Sequence, residues 1–135
     1  MIDVTTLQLG NLVYNHRHWI CPVIGLKDGE VTVIAKHYGE STYRSDIIYP
    51  IPITREILEK CFPTHTNKKC LFETYNINDD FMIEDRSSED DAEFCVCHGS
   101  YPTASYWTCT IKYFHELQNI LKLHKINIEL QIEQE

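Results

Sequence analysis

A chain of 135 residues, 43% hydrophobic and 24% charged, is long enough to bury one core and too short for two comfortable ones, so a single domain over 1–135 is expected. Its apolar runs, such as residues 47–53 with two prolines, fall far below the roughly 20 residues of a membrane span, and no basic-then-apolar leader opens the chain, which predicts a cytoplasmic protein without membrane contact. The net charge of -8 is concentrated: Asp79, Asp80, Glu84, Asp85, Glu89, Asp90, Asp91 and Glu93 face one base, Arg86, whereas the rest of the chain carries twelve acids and eleven bases, so direct binding to phosphate backbones is disfavoured and a basic partner is attracted.

The first third reads as β. "LQLGNLVYN" and "WICPVIGL" are short runs rich in Val, Ile, Leu and aromatics, and "GEVTVIA" sets Val31 and Val33 against Thr32 and Ile34. Lys27-Asp28-Gly29-Glu30 predicts a hairpin, because Gly29 accepts positive φ without steric cost. Pro22, lacking an amide donor, belongs at an edge or bulge. An N-terminal SH3-like small barrel or curled sheet is the expected result.

"YPIPITREILEKCFP" changes period. Pro50 and Pro52 keep the chain extended, Thr54 is placed to cap a helix, and Ile57, Leu58 and Cys61 share one helical face; Ile53 and Leu58 have staple spacing and Pro63 ends the element. This short helix is expected to close the barrel-like part, giving a first portion over 1–63 and a second over 64–135.

From Cys70 the pattern returns to strands. "CLFETYNI" and "FMIED" flank a turn at Asn78-Asp79-Asp80, Ser87 to Asp91 reads as a loop, and "AEFCVCHG" and "YWTCTIKY" are joined through Gly99, Ser100, Pro102 and Ser105. A helix over about Tyr113 to His124 puts Phe114, Leu117, Ile120 and Leu121 on one face and Glu116, Gln118, Asn119 and Lys122 on the other, and Ile126 to Ile132 alternates as a final strand. The fold class expected is therefore α+β, with a second, antiparallel sheet and an amphipathic C-terminal helix.

Cys95-Val96-Cys97-His98 could offer thiolates and an imidazole to a metal, since Cys95 and Cys97 share a strand face. A structural zinc needs four ligands, and neither Cys70 nor Cys109 has a spacing that demands it; buried thiols are the simpler reading, and neither metal nor cofactor is expected. The six cysteines form no CxxC pair and are expected to be reduced thiols. The acidic tract lacks the alternating Asp/Asn, central Gly and twelfth-position Glu of an EF-hand. No phosphate-cradling loop, HExxH or GxSxG is present, which favours a non-enzymatic protein.

His115 falls on the predicted polar helix face, and His16-Arg17-His18 reads as a polar loop. Tyr101, Tyr106 and Trp107 flank one predicted loop, and Tyr38 and Tyr43 flank another, Gly39 to Thr42; exposed aromatics of this kind are enriched at protein interfaces. The predicted binding set is the eight acids with Tyr101, Tyr106 and Trp107. Two rival readings are a small Cys/His metal-dependent hydrolase using Cys95, Cys97 and His98, and a nucleic-acid-binding accessory protein leaning on Lys68-Lys69.

Three patches, "LQLGNLVYN", "PIPITREIL" and "HELQN" in "IKYFHELQNILKLHKINIEL", resemble in order the opening, centre and ending of a group of small uncharacterised proteins carried by Bacteroidota phages, prophages and other mobile elements. The resemblance implies structural roles for Gly10-Asn11 as a turn, Thr54 as an N-cap and Glu116-Leu117-Gln118-Asn119 as a helix register. It has no counterpart for Asp79 to Glu93. It also implies a protein that binds and disables host machinery, anti-CRISPR proteins included, with a CRISPR effector or other host nuclease as partner.

Overall fold

The computed structural model describes residues 2–62, 73–78, 81–88, 93–98 and 106–126. Among the described residues the fold is α+β, with two four-stranded antiparallel sheets and two helices, and the chain divides into two compact units. Of the described residues the first unit contains 2–52 and 113–126, and the second those from 53 to 112, so the last helix returns to the first unit. Among the described residues no helix is long and apolar enough to cross a membrane.

In the first unit β1 (Leu12–Tyr14), β2 (Ile20–Lys27), β3 (Glu30–Ala35) and β4 (Gly39–Arg44) form a meander in the order β1-β2-β3-β4. The β2–β3 hairpin turns through Asp28 and Gly29, both at positive φ (41° and 81°), the pair of left-handed residues that a tight two-residue turn requires. Val31, Val33 and Ala35 point into the core while Thr32 and Ile34 are more open, so the alternation read in the sequence is the alternation of the strand. Val23 donates its N–H to the Asn11 carbonyl (2.8 Å), which turns the neighbouring Pro22 away from β1, where no β3 residue is in register with it. The missing amide donor therefore interrupts no ladder bond.

Residues 39–42, expected as a loop, are strand. Gly39 at φ +78° leaves the turn, and the polar run Gly39 to Arg44 pairs residue by residue with β3, with Thr32 and Thr42 sharing a hydroxyl hydrogen bond (2.8 Å). An edge strand of the sheet carries little apolar signal because so little of it is covered. After β4 a 3-10 turn (Ser45–Ile47) brings the chain back to β1, where Tyr14 and Tyr49 exchange both backbone hydrogen bonds (2.9 and 3.0 Å). That single bridge makes a curled sheet and not a closed barrel. Ile2, Leu7, Val13, Cys21, Val23, Val31, Val33, Ala35 and Ile48 form its core.

The second unit opens with α1 (Arg55–Cys61), which Thr54 caps by accepting the Ile57 N–H (3.2 Å), with Ile53 and Leu58 buried as the staple spacing predicts. It belongs to the second unit. β5 (Glu73–Asn76), β6 (Phe81–Asp85), β7 (Phe94–His98) and β8 (Tyr106–Ile111) follow in sheet order β5-β6-β7-β8. Asn78 closes the β5–β6 turn by accepting the Phe81 N–H (2.9 Å). Successive residues Met82 and Ile83, and Phe94 through Cys97, are all buried, so this sheet is covered on both faces. The expected Ile126 to Ile132 strand, Pro63, Lys68-Lys69 and the Gly99 to Ser105 loop lie outside the described residues, apart from Ile126.

Residues 51–53 run beside residues 112–114. Ile53 N–H donates to the Lys112 carbonyl (3.0 Å), Phe114 N–H donates to the Ile51 carbonyl (2.8 Å), and Pro52 is bridged with Tyr113. From there α2 (Phe114–Leu123) packs Phe114, Leu117 and Leu121 into the first unit; Glu116 accepts the Tyr113 N–H (2.8 Å) as one half of a capping box.

Candidate functional site

The three sequence patches carry fold, not chemistry. Asn11 is buried, accepts the Gln8 N–H through its side-chain oxygen (2.7 Å) and donates its amide to Asn119 Oδ1 (2.8 Å). Asn119 in turn donates to the Thr6 carbonyl (2.8 Å), and Gln118 Oε1 accepts the Leu12 N–H (2.8 Å). Gly10, at φ +90°, makes the turn that presents this backbone to the helix. Gln118 and Asn119, expected on a solvent face, are instead the latch between α2 and residues 6–12.

His115 joins that latch: although it falls on the predicted polar helix face, its imidazole is buried. Thr6 Oγ1 donates to the Asp3 carbonyl (2.7 Å), so it accepts from His115 Nε2–H (2.9 Å), which leaves the buried Nδ1 with its lone pair and no protein partner. Burial pushes the His115 pKa down, against the opposing pull of Glu116 and Asp3. A cavity of about 210 Å³ beside it is lined by Ile2, Asp3, Thr6, Pro50, Tyr113, His115 and Glu116. Its two carboxylates are engaged locally, Asp3 with Thr5 and Glu116 with the helix start.

In the second unit the acidic tract resolves into different kinds of acid. Asp85 is buried, accepts Arg55 Nε (2.6 Å) and the Ser87 N–H (2.9 Å), and so supports the fold instead of offering a free contact. Glu84 is 16% exposed and takes both Nε and a terminal nitrogen of Arg86 (2.9 and 2.8 Å), an arrangement that raises the Arg86 pKa. Glu93 is exposed and frames the neck of the loop, its carbonyl accepting the Arg86 N–H (2.8 Å) and its N–H meeting Ser87 Oγ (3.0 Å). Asp79, Asp80, Glu89, Asp90, Asp91 and Tyr101 lie outside the described residues, and Tyr106 and Trp107 begin β8, the strand read from "YWTCTIKY", in register with His98 and Cys97.

Cys95 and Cys97 are both buried and pack with Met82. Burial, assisted by the charge of Glu84, pushes the Cys97 thiol up to about 11, far from the thiolate that a nucleophile needs at neutral pH. Among the described residues no three His, Cys, Asp or Glu side chains are grouped to hold a metal.

A recess that sequence reasoning missed lies on the first unit, between the β1–β2 loop and the β3–β4 hairpin. It measures about 230 Å³ and is lined by Asn15, His16, Arg17, Trp19, Val33, Ala35, Tyr38, Gly39, Ser41 and Tyr43. Asn15 holds the loop from within: buried, it accepts both the Arg17 and Trp19 N–H groups through Oδ1 (2.9 and 3.0 Å) and its backbone N–H donates to the Trp19 carbonyl (3.0 Å). His18, at φ +59°, packs against Tyr14 and stacks on Tyr49, with ring centroids 5.3 and 5.8 Å away. Above this base Trp19 stacks on Tyr38 (4.6 Å, 29°), Arg17 lies 5.1 Å from the Trp19 ring centre, and His16 meets Tyr43 at 5.1 Å. Tyr38 is 67% exposed. The sequence signal was the aromatic–basic mixture of "NHRHW" and "KHYG", dispersed over two segments that only the hairpin brings together.

Compared with family models, curated proteins and solved structures, the chain matches none.

Proposed function

We infer that the protein is a non-enzymatic binding protein whose acidic tract engages a basic surface of another protein, with a nucleic-acid-handling effector of host defence, such as a CRISPR nuclease, as the partner. One observation carries the reading: the uneven partition of charge. Among the described residues of the first unit, 2–52 and 113–126, Asp3, Asp28, Glu30, Glu40, Asp46 and Glu116 are balanced by Arg17, Lys27, Lys36, Arg44, Lys122 and Lys125. The tract from Ile77 to Glu93 sets eight acids against one base. Such a field accelerates encounter with a cationic surface and selects against acidic ones. The resemblance to proteins of mobile elements supports the choice of host effector, and the raised pKa of the buried Cys97 thiol counts against its use as a hydrolase nucleophile.

The structure refines the variant that tests this. Asp85 and Glu84 serve ion pairs within the fold, so the informative change neutralises Asp79, Asp80, Glu89, Asp90, Asp91 and Glu93 while leaving those two in place. Binding to purified CRISPR nucleases, and inhibition of their DNA cleavage, is expected from the natural sequence and is expected to be lost in the neutralised variant. Affinity is also expected to fall as the Debye length shrinks from about 10 Å at 0.1 M salt to about 3 Å at 1 M. Affinity that stays flat across that range, or that survives neutralisation, removes the acidic tract as the contact.

A further inference from the structure

We propose that the aromatic recess of the first unit is a binding site for a nucleobase carrying a phosphate, separate from the acidic tract and independent of the function inferred from it. Four features select this ligand chemistry. The recess presents stacked ring faces, with Tyr38 two-thirds exposed on Trp19, and such faces accept any flat base. Arg17 sits beside them on the Trp19 ring, and among the described residues it has no carboxylate partner, so its charge is available to an anion. None of the residues lining the recess is an acid, and a cationic ligand would meet Arg17 already in place over the indole. At about 230 Å³ the recess is below the roughly 300–1,000 Å³ of drug-sized pockets and suits one ring system, not several residues of a peptide.

The geometry is preorganised. Asn15 fixes the backbone of Arg17 and Trp19, and His18 is held between Tyr14 and Tyr49, so the guanidinium and the indole keep their relative position before any ligand arrives. An acidic side chain would use Arg17 and leave the ring faces idle, whereas a base with its phosphate uses both. The even charge of residues 2–52 and 113–126, six acids against six bases, answers the objection that the net charge of the whole chain raises against phosphate ligands.

The test follows Trp19 fluorescence in the full-length chain with Trp107→Phe, titrated with uridine and adenosine monophosphates, the corresponding nucleosides, inorganic phosphate, a short oligouridylate and an acidic hexapeptide. Saturable quenching by the nucleotides is expected, weaker for nucleosides and absent for inorganic phosphate. Tyr38→Ala is expected to weaken binding by about five- to 150-fold, the range of one base–aromatic stack. Arg17→Gln is expected to erase the preference for nucleotide over nucleoside, and Ser41→Trp, which fills the recess without removing ring or cation, to abolish binding. Tighter binding of the oligouridylate than of the monomers assigns the site to single strands, and equal binding assigns it to free nucleotides. The proposal is overturned by absence of quenching at millimolar nucleotide, by nucleotide binding that all three variants leave intact, or by a hexapeptide that binds more tightly than every nucleotide. Pull-down of a CRISPR nuclease by the acidic tract is unaffected by either result, so the two readings fail separately.

Discussion

The two units use the same device, a four-stranded antiparallel meander, in opposite ways. The first alternates: Val31, Val33 and Ala35 inside, Thr32 and Ile34 towards water, with charges balanced and a polar latch joining its helix to its opening turn. The second buries consecutive residues in β6 and β7, and spends a buried carboxylate, Asp85, on a cation whose side chain is 58% exposed. The difference shows that a charged sequence tract is not a charged surface by default. Within one short hairpin, Asp85 is structural, Glu84 is occupied by Arg86, and Glu93 is exposed.

The comparison breaks most readily at the cores. Each unit contains one tryptophan, Trp19 in the first and Trp107 in the second, so each has its own optical reporter. Leu117→Ala in α2 and Leu58→Ala in α1 empty fully buried sites and are each expected to cost about 2–5 kcal/mol. In urea titrations of single-tryptophan variants, Leu117→Ala should lower the Trp19 midpoint more than the Trp107 midpoint, and Leu58→Ala the reverse. Equal shifts at both reporters would show one cooperative transition and end the distinction between units.

A finer contrast lies within the acidic hairpin. Asp85→Ala removes charge-assisted bonds to Arg55 and Ser87 and is expected to lower stability by about 1.5–3 kcal/mol, while Glu93→Gln, at an exposed site, should stay within about 0.5 kcal/mol. Similar values for the two would mean that Asp85 is not structural after all. On the first unit, Asn119→Ala strips a partner from the buried Asn11 amide and one from the Thr6 carbonyl, at about 1–3 kcal/mol. Hydrogen exchange at the Leu12 amide is the sensitive readout, because that proton is held by the neighbouring Gln118.

The smallest effect is in pH. Burial lowers the His115 pKa below its ordinary 6.5 in the folded protein, so just below that value the unfolded chain takes up protons that the folded one refuses. Stability from this site is complete above about 6.5 and is lost as pH falls below it. Melting temperatures at pH 7.5 and 5.5 should therefore differ, and His115→Gln should narrow the gap. An unchanged gap would assign the pH response to other groups.

Much of the fold was legible because the residues concerned act locally. The Asp28-Gly29 turn, the Thr54 cap with its Ile53–Leu58 staple and the apolar stripe of α2 are each decided within a few residues. Strand β4 was not legible, since an edge strand of polar residues looks like a loop until its neighbour is known. The latch was illegible for a related reason: Gln118 and Asn119 reach backbone more than 100 residues away, and backbone leaves no mark in sequence. Asp85 carried no such mark: it stands two residues beyond the buried Ile83 just as Glu84 stands two beyond the buried Met82, so the strand period does not separate them. The recess escaped because its aromatics come from two loops, and each segment alone reads as a packing lid or a polar turn.

The long sequence separation between α2 and the opening turn has a consequence for how this chain is made. The ribosome must finish residues 53–112 before α2 emerges to engage the opening turn, so the contacts of Gln118 and Asn119 with residues 6–12 form only after that long intervening segment has been made.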